Sequence, residues 1–156
     1  GELVRRVSGR SLGTFFREEI AGPLGLDFWI GLPDTEHDRV ARIIPWVPDR
    51  KAPLAAFTQA LQRGIRQNDP NDPGSLQYLA LMNTGGHRAD DPHAWRAEFG
   101  GGGGIANARG LAGMYAPLAN DGVHGGVRLL GADHIVRMSE VSVATEEDAT
   151  LLMPTR

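Results

Sequence analysis

Apolar residues in this chain recur at helical spacing, but 21 glycines and 10 prolines cut the runs short, so only brief helices can form. Leu3, Val4 and Val7 share one helix face, and Gly9 is the stop behind them. Ser11 then caps a second helix by accepting from an orphan backbone N–H, with Leu12, Phe15, Phe16 and Ile20 as its apolar stripe. Val40, Ile43 and Ile44 predict a short helix that must stop by Pro45, after which Trp46 and Val47 sit in an extended link. Leu54, Phe57, Leu61 and Ile65 predict a clearer helix, opened by Pro53 and followed by the turn-rich residues 68–74. Ser75 caps a further short helix carrying Leu76, Leu79 and Met82, and residues 83–91 read as loop. A helix begun near Asn107 is expected to bury Ala108, Leu111, Ala112 and Tyr115. In it, Gly110 and Gly113 let another backbone approach, and Pro117 ends or kinks the helix. Period-two alternation is scarce: residues 28–32 make the best strand candidate, and residues 151–153 start another. The expected class is mainly α with little strand.

Three local patterns suggest chemistry, and none has the context that chemistry needs. Gly9-Arg10-Ser11-Leu12-Gly13 fits the G-x-S-x-G nucleophile elbow, yet an elbow follows a short buried strand, whereas the residues before it are helical. The glycine run 100–104 could let backbone N–H groups approach a phosphate, but no Gly-Lys-Ser/Thr follows it. It reads instead as a flexible approach to the helix near Asn107. His87 and His93 flank Asp90 and Asp91, but the spacing matches no zinc pattern, so these residues read as a solvated loop and no metal is expected. His37, His124 and His134 stand among charged or glycine residues and read as surface positions. Trp29, Trp46 and Trp95 read as anchors of small apolar clusters, and Glu146, Glu147 and Asp148 as a solvated turn.

With 156 residues the chain suits one domain or part of one, and that length can bury about 70% of the surface its unfolded form exposes. It contains no cysteine, which removes disulfides and thiolate catalysis. No apolar run approaches the roughly 20 residues that span a bilayer, and Gly1-Glu2 opens without the basic and apolar regions of a signal peptide. These features leave the compartment open, with the cytoplasm favoured, since a segment upstream could carry such a signal. A net charge of -3, with fifteen arginines scattered among acids, offers no basic stripe for nucleic acid.

A family resemblance organises these pieces. The chain opens on a helix ending Arg-Val-Ser-Gly-Arg-Ser and continues with the run Phe-Phe-Arg-Glu-Glu-Ile. Pro23-Leu24-Gly25-Leu26-Asp27 and Ile30-Gly31-Leu32-Pro33 follow. Two later stretches keep the expected order: residues 104–116, GIANARGLAGMYA, and residues 126–130, GVRLL. Together they resemble the serine β-lactamase and penicillin-binding-protein-like superfamily, in its branch of bacterial β-lactamase-type esterases. The match covers most of the chain, loosely over residues 51–99. It implies the helix-rich middle region of the α/β serine β-lactamase-like fold, lacking most of the core sheet, with residues 34–99 as a variable stretch flanking the cleft.

The resemblance also implies what this chain does not carry. The family attacks an acyl carbonyl with the serine of Ser-x-x-Lys, helped by a tyrosine motif and by a third motif on the far wall. Lys51 is the sole lysine and Pro48 stands three residues before it, so no Ser-x-x-Lys is present. Tyr78 and Tyr115 precede apolar residues and read as core or rim aromatics. The serine and tyrosine motifs are expected upstream of Gly1 and the third motif beyond Arg156, leaving no catalytic residue here. Gly103, Gly104 and Asn107 match the segment that borders the family's substrate cleft and are expected to form pocket wall. The complete form would take a small-molecule ester or β-lactam and no cofactor. A β-lactamase or D-alanyl-D-alanine peptidase-like amide hydrolase is the near alternative, and a non-catalytic helical binding module the alternative of another class. Apolar surface left by the absent sheet predicts self-association.

Overall fold

A computed structural model describes residues 1–44, 75–76, 78–151 and 154–155. The chain divides into two compact units, one of Gly1–Ile43 with Arg88–Ser139, the other of Ile44–His87 with Glu140–Arg156. The expectations for Trp46, Val47, Lys51 and the helix over Leu54 to Ile65 lie outside the described residues, as does the turn at 68–74.

In the first unit, helix α1 (Glu2–Ser8) stops where Gly9 turns left-handed at φ 72° and donates its N–H to the Arg5 carbonyl. Helix α2 (Leu12–Phe16) starts at the Ser11 cap, which accepts from the Thr14 N–H, and widens into one π turn over Arg17–Ala21. A tight turn then leads into strand β1 (Phe28–Ile30). Phe16, Ala21, Leu26 and Phe28 form the buried core, with Ile20, Leu24, Ile30 and Met114 packed on it. The Phe16 and Phe28 rings meet edge to face at 4.9 Å. The strand is shorter than residues 28–32 because Gly31 turns to φ 79°. Leu32, itself buried, donates its N–H to the Trp95 carbonyl at 2.7 Å instead.

The expected helix over Val40, Ile43 and Ile44 is corrected by the structure. The coil is a 3-10 turn one step earlier, Asp34–Arg39, and residues 40–44 are irregular. Pro45 biases the residue before it away from helix, and the Ile43 N–H is taken by the Asp90 carboxylate at 3.1 Å. Helix α3 (Pro92–Arg96) appears where only loop was read: Asp91 accepts from the His93 N–H and Pro92 stands in the first turn.

Strand β2 (Gly104–Ala106) pairs antiparallel with β1, placing Phe28 opposite Ala106, Trp29 opposite Ile105 and Ile30 opposite Gly104. Helix α4 (Ala108–Ala119) follows. The face expected to be buried is not: Leu111 is 46% exposed, Tyr115 56%, and Ala108 and Ala112 are exposed. The helix docks through Gly110, Gly113, Met114 and the fully buried Pro117. A Cβ at Gly110 would lie 2.5 Å from the Asp27 carbonyl oxygen, and one at Gly113 would lie 2.6 Å from a Leu26 methyl, so the two bare positions set the approach. Pro117 sits in the last turn and ends the helix two residues on. Strands β3 (Val123–His124) and β4 (Val127–Arg128) form a hairpin across Gly125-Gly126, both at positive φ, a signal the periodicity reading missed. Helix α5 (Ala132–Ser139) completes the unit.

In the second unit, Ser75 accepts from the Tyr78 N–H at 3.1 Å, so the cap holds, and the turn it opens is a π segment over Tyr78–Met82. Residues 83–87 are loop. Thr145 and Thr155 form an isolated antiparallel bridge, while residues 152 and 153 of the expected terminal strand lie outside the described residues. The turn near Asp148 is organised by its carboxylate, which accepts from the Thr150 and Leu151 N–H groups and is held below the ordinary aspartate range by them. Among the described residues the architecture is mainly helical with few strands, and no helix is long and apolar enough to cross a membrane.

Candidate functional site

The three residues expected to form pocket wall lie along one short ribbon. Gly103 is buried and donates its N–H to the Phe99 carbonyl at 2.7 Å. A Cβ there would sit 2.8 Å from that same oxygen, so the turn closes only around glycine. Gly104 starts β2 opposite Ile30, and a Cβ on it would meet the Phe28 ring at 2.8 Å. Asn107 caps α4: its Oδ1 accepts from the Gly110 N–H at 2.8 Å, and its Nδ2 donates to Asp27 Oδ2 at 3.1 Å. Asp27 also pairs with Arg39, which in turn reaches Glu36. The Arg39 guanidinium is the main reason the Asp27 carboxyl stays below its ordinary 3.8.

Upstream of the ribbon, Glu98 occupies a slot at the start of α2. Ser11 donates its hydroxyl proton to Glu98 Oε1 at 2.8 Å, and the Gly13 N–H donates to Oε2 at 2.8 Å. Ser11 therefore serves as a helix cap bonded to a carboxylate, with a helix and not a strand before it. An open cleft of about 250 Å³ adjoins this contact, with Thr14, Arg17, Trp29, Pro33 and Glu98 on its walls. Arg17 stacks over the Trp29 ring at 4.3 Å. Gly103, Gly104 and Asn107 do not line this cleft.

The remaining candidates take structural positions. Asp90 and Asp91 accept from the Ile43 and His93 backbone N–H groups. His37, expected at the surface, has a side chain only 15% exposed. The 3-10 turn folds it under Trp95, whose ring meets the imidazole edge to face at 5.1 Å. Asp34 binds Arg96 at 2.5 Å, which keeps its carboxyl below 3.8, and lies 3.5 Å from His37 Nε2. His124 and His134 are exposed, as expected. Trp95 anchors the turn before α3 by donating from Nε1 to the Ala89 carbonyl at 2.7 Å. Tyr115, read as core or rim, lies on the exposed side of α4, because the glycine side makes the contact.

Sequence reasoning missed Glu98 and Asp27. The bonds that tie them to the ribbon and to α2 span 80 to 87 positions, and even the Asp27–Arg39 pair spans 12, so neither leaves a local pattern. The one usable signal was Asn107 at a cap position, since a capping amide has a second end that needs an acceptor.

The Beta-lactamase family model matches residues 1–156. The chain is 30% identical over 154 residues to "Esterase/beta-lactamase LipL" of Mycobacterium tuberculosis (strain ATCC 25618 / H37Rv), an alignment covering 97% of this chain and 34% of that protein. It is also similar to the crystal structure of a novel penicillin-binding protein homolog from Caulobacter crescentus. That match has a TM-score of 0.74 and 30% identity, and covers 99% of this chain and 36% of the other. The chain thus spans about a third of the length of both relatives.

Proposed function

The chain belongs to the beta-lactamase family, and from that premise we propose that it is the helix-rich central part of a serine hydrolase whose complete form cleaves carboxylic esters through an acyl-serine intermediate. The observation that carries this reading is the alignment of nearly the whole chain with an esterase/β-lactamase at 30% identity. In the complete form, a serine attacks the acyl carbon while a lysine and a tyrosine accept its proton. Backbone N–H groups hold the oxyanion, the alcohol leaves, and water then releases the acid. None of the attacking groups is among these 156 residues, so the chain by itself is inactive. Gly103, Gly104 and Asn107 contribute a wall of the substrate pocket in that complete form, a role supported by the family match of their segment. The reading calls for no metal or organic cofactor.

Amide hydrolysis, of a β-lactam or a D-alanyl-D-alanine peptide, is the second reading. It is favoured by the penicillin-binding-protein homolog among the similar structures and by the double name of the curated relative. The test uses this chain alone and a version extended on both sides through the family motifs. Each is treated with a fluorophosphonate probe, then assayed with p-nitrophenyl butyrate and with nitrocefin. The expected result is no labelling of the short chain, labelling of the extended one, and faster turnover of the ester. Turnover of nitrocefin with an inert ester would overturn the esterase assignment, and labelling of the short chain at Ser11 would overturn its inactivity.

A further inference from the structure

We propose that Glu98 and Asp27 are positioning residues that fix the two ends of the glycine ribbon 99–107, and so set the shape of the pocket wall. The inference rests on the reading of Gly103, Gly104 and Asn107 as wall. At the upstream end, both Glu98 oxygens are taken by α2, through Ser11 and the Gly13 N–H. The seat exists only because its flanks are bare. A Cβ on Gly31 would lie 2.8 Å from Glu98 Cγ, and one on Gly13 would lie 3.0 Å from Cδ. At the downstream end, Asp27 holds the Asn107 amide in one orientation, because only Nδ2 can donate to a carboxylate while Oδ1 faces the Gly110 N–H. Arg39 keeps that carboxylate ionised and in place. Between the anchors lies the run 100–104, five glycines whose backbones have the widest conformational choice of any residue. Such a run does not specify its own path; the Gly103–Phe99 turn and the pairing of β2 with β1 hold its middle, and the charge-assisted bonds, stronger than neutral ones, hold its ends.

Amide hydrogen exchange on the full 156-residue chain tests this, read at three hydrogen bonds: Gly13 N–H to Glu98, Gly103 N–H to Phe99, and Gly110 N–H to Asn107. Glu98→Ala should speed exchange at Gly13 and Gly103 about tenfold and leave Gly110 within about twofold, the loss expected for one charged hydrogen bond. Asp27→Ala should do the reverse, speeding Gly110 about tenfold and sparing Gly13. Glu98→Gln and Asp27→Asn keep an acceptor at each position and should restore exchange to within about threefold of the parent. If an alanine variant fails to fold, Glu98→Met or Asp27→Leu, which keep side-chain volume without an acceptor, decides by the same contrast between Gly103 and Gly110. Uniform acceleration across all three amides, or none, would overturn the proposal, since a general stabilising role predicts the first and no role predicts the second. The wall is tested separately by the KM ratio of acetate and octanoate esters in Glu98→Ala and Asp27→Ala versions of the extended enzyme, with Glu98→Gln and Asp27→Asn as the restoring controls. A local exchange change with an unchanged ratio would sink the wall reading and leave the anchors standing.

Discussion

Helices α2 and α4 look alike as sequence, each an apolar stripe behind a polar cap, yet they bury opposite kinds of surface. In α2 the stripe goes inward: Phe16 is 5% exposed and meets Phe28, and Ile20 packs on the same core. In α4 the stripe of Ala108, Leu111, Ala112 and Tyr115 faces outward, and the bare positions Gly110 and Gly113 make the contact. The difference lies in what each helix meets. The stripe of α2 meets side chains from β1, which fill space between axes. At Gly110, α4 meets the backbone of residue 27, which only a missing Cβ can admit. Periodicity reports which face is apolar; close packing against a backbone is reported by glycine.

The sharpest way to break this comparison is to truncate α2 where it is best packed. Phe16→Ala should cost about 3–5 kcal/mol in urea denaturation, the range for emptying an aromatic site in a core. Next in size, Gly110→Val places a Cβ against the Asp27 carbonyl and should cost about 1–3 kcal/mol by the same measurement. A neutral result there would mean that α4 has room and that its bare side is incidental. Smallest is Leu111→Ala, expected within about 0.5 kcal/mol because the side chain is already half in solvent. A cost above about 1.5 kcal/mol at Leu111, together with a dimer in sedimentation, would show that a second copy covers this face in solution.

The parts legible in sequence were those decided by near neighbours. Gly9 stopped a helix and Ser11 capped one because the deciding bonds span three or four positions. Asn107 at the start of α4 was legible for the same reason. The helix expected over Val40 to Ile44 failed because a distant carboxylate, Asp90, took the Ile43 N–H. His37 went to the interior because Trp95, far along the chain, offered it a ring. Of the candidate site, the ribbon was visible as a glycine run and its two anchors were not, since Glu98 and Asp27 are ordinary surface letters until their partners arrive.

The bond from Asn107 to Asp27 joins residues 80 positions apart. Closing a flexible loop of that length costs about 4 kcal/mol of chain entropy, before any contact beyond it repays the cost. The α1, α2 and β1 segments close far shorter loops, so they can form early, and β2 with the α4 cap joins them late. The glycine ribbon 99–107 is thus expected to be a latecomer in folding time, taking its place only after the chain on either side of that long loop has been brought together.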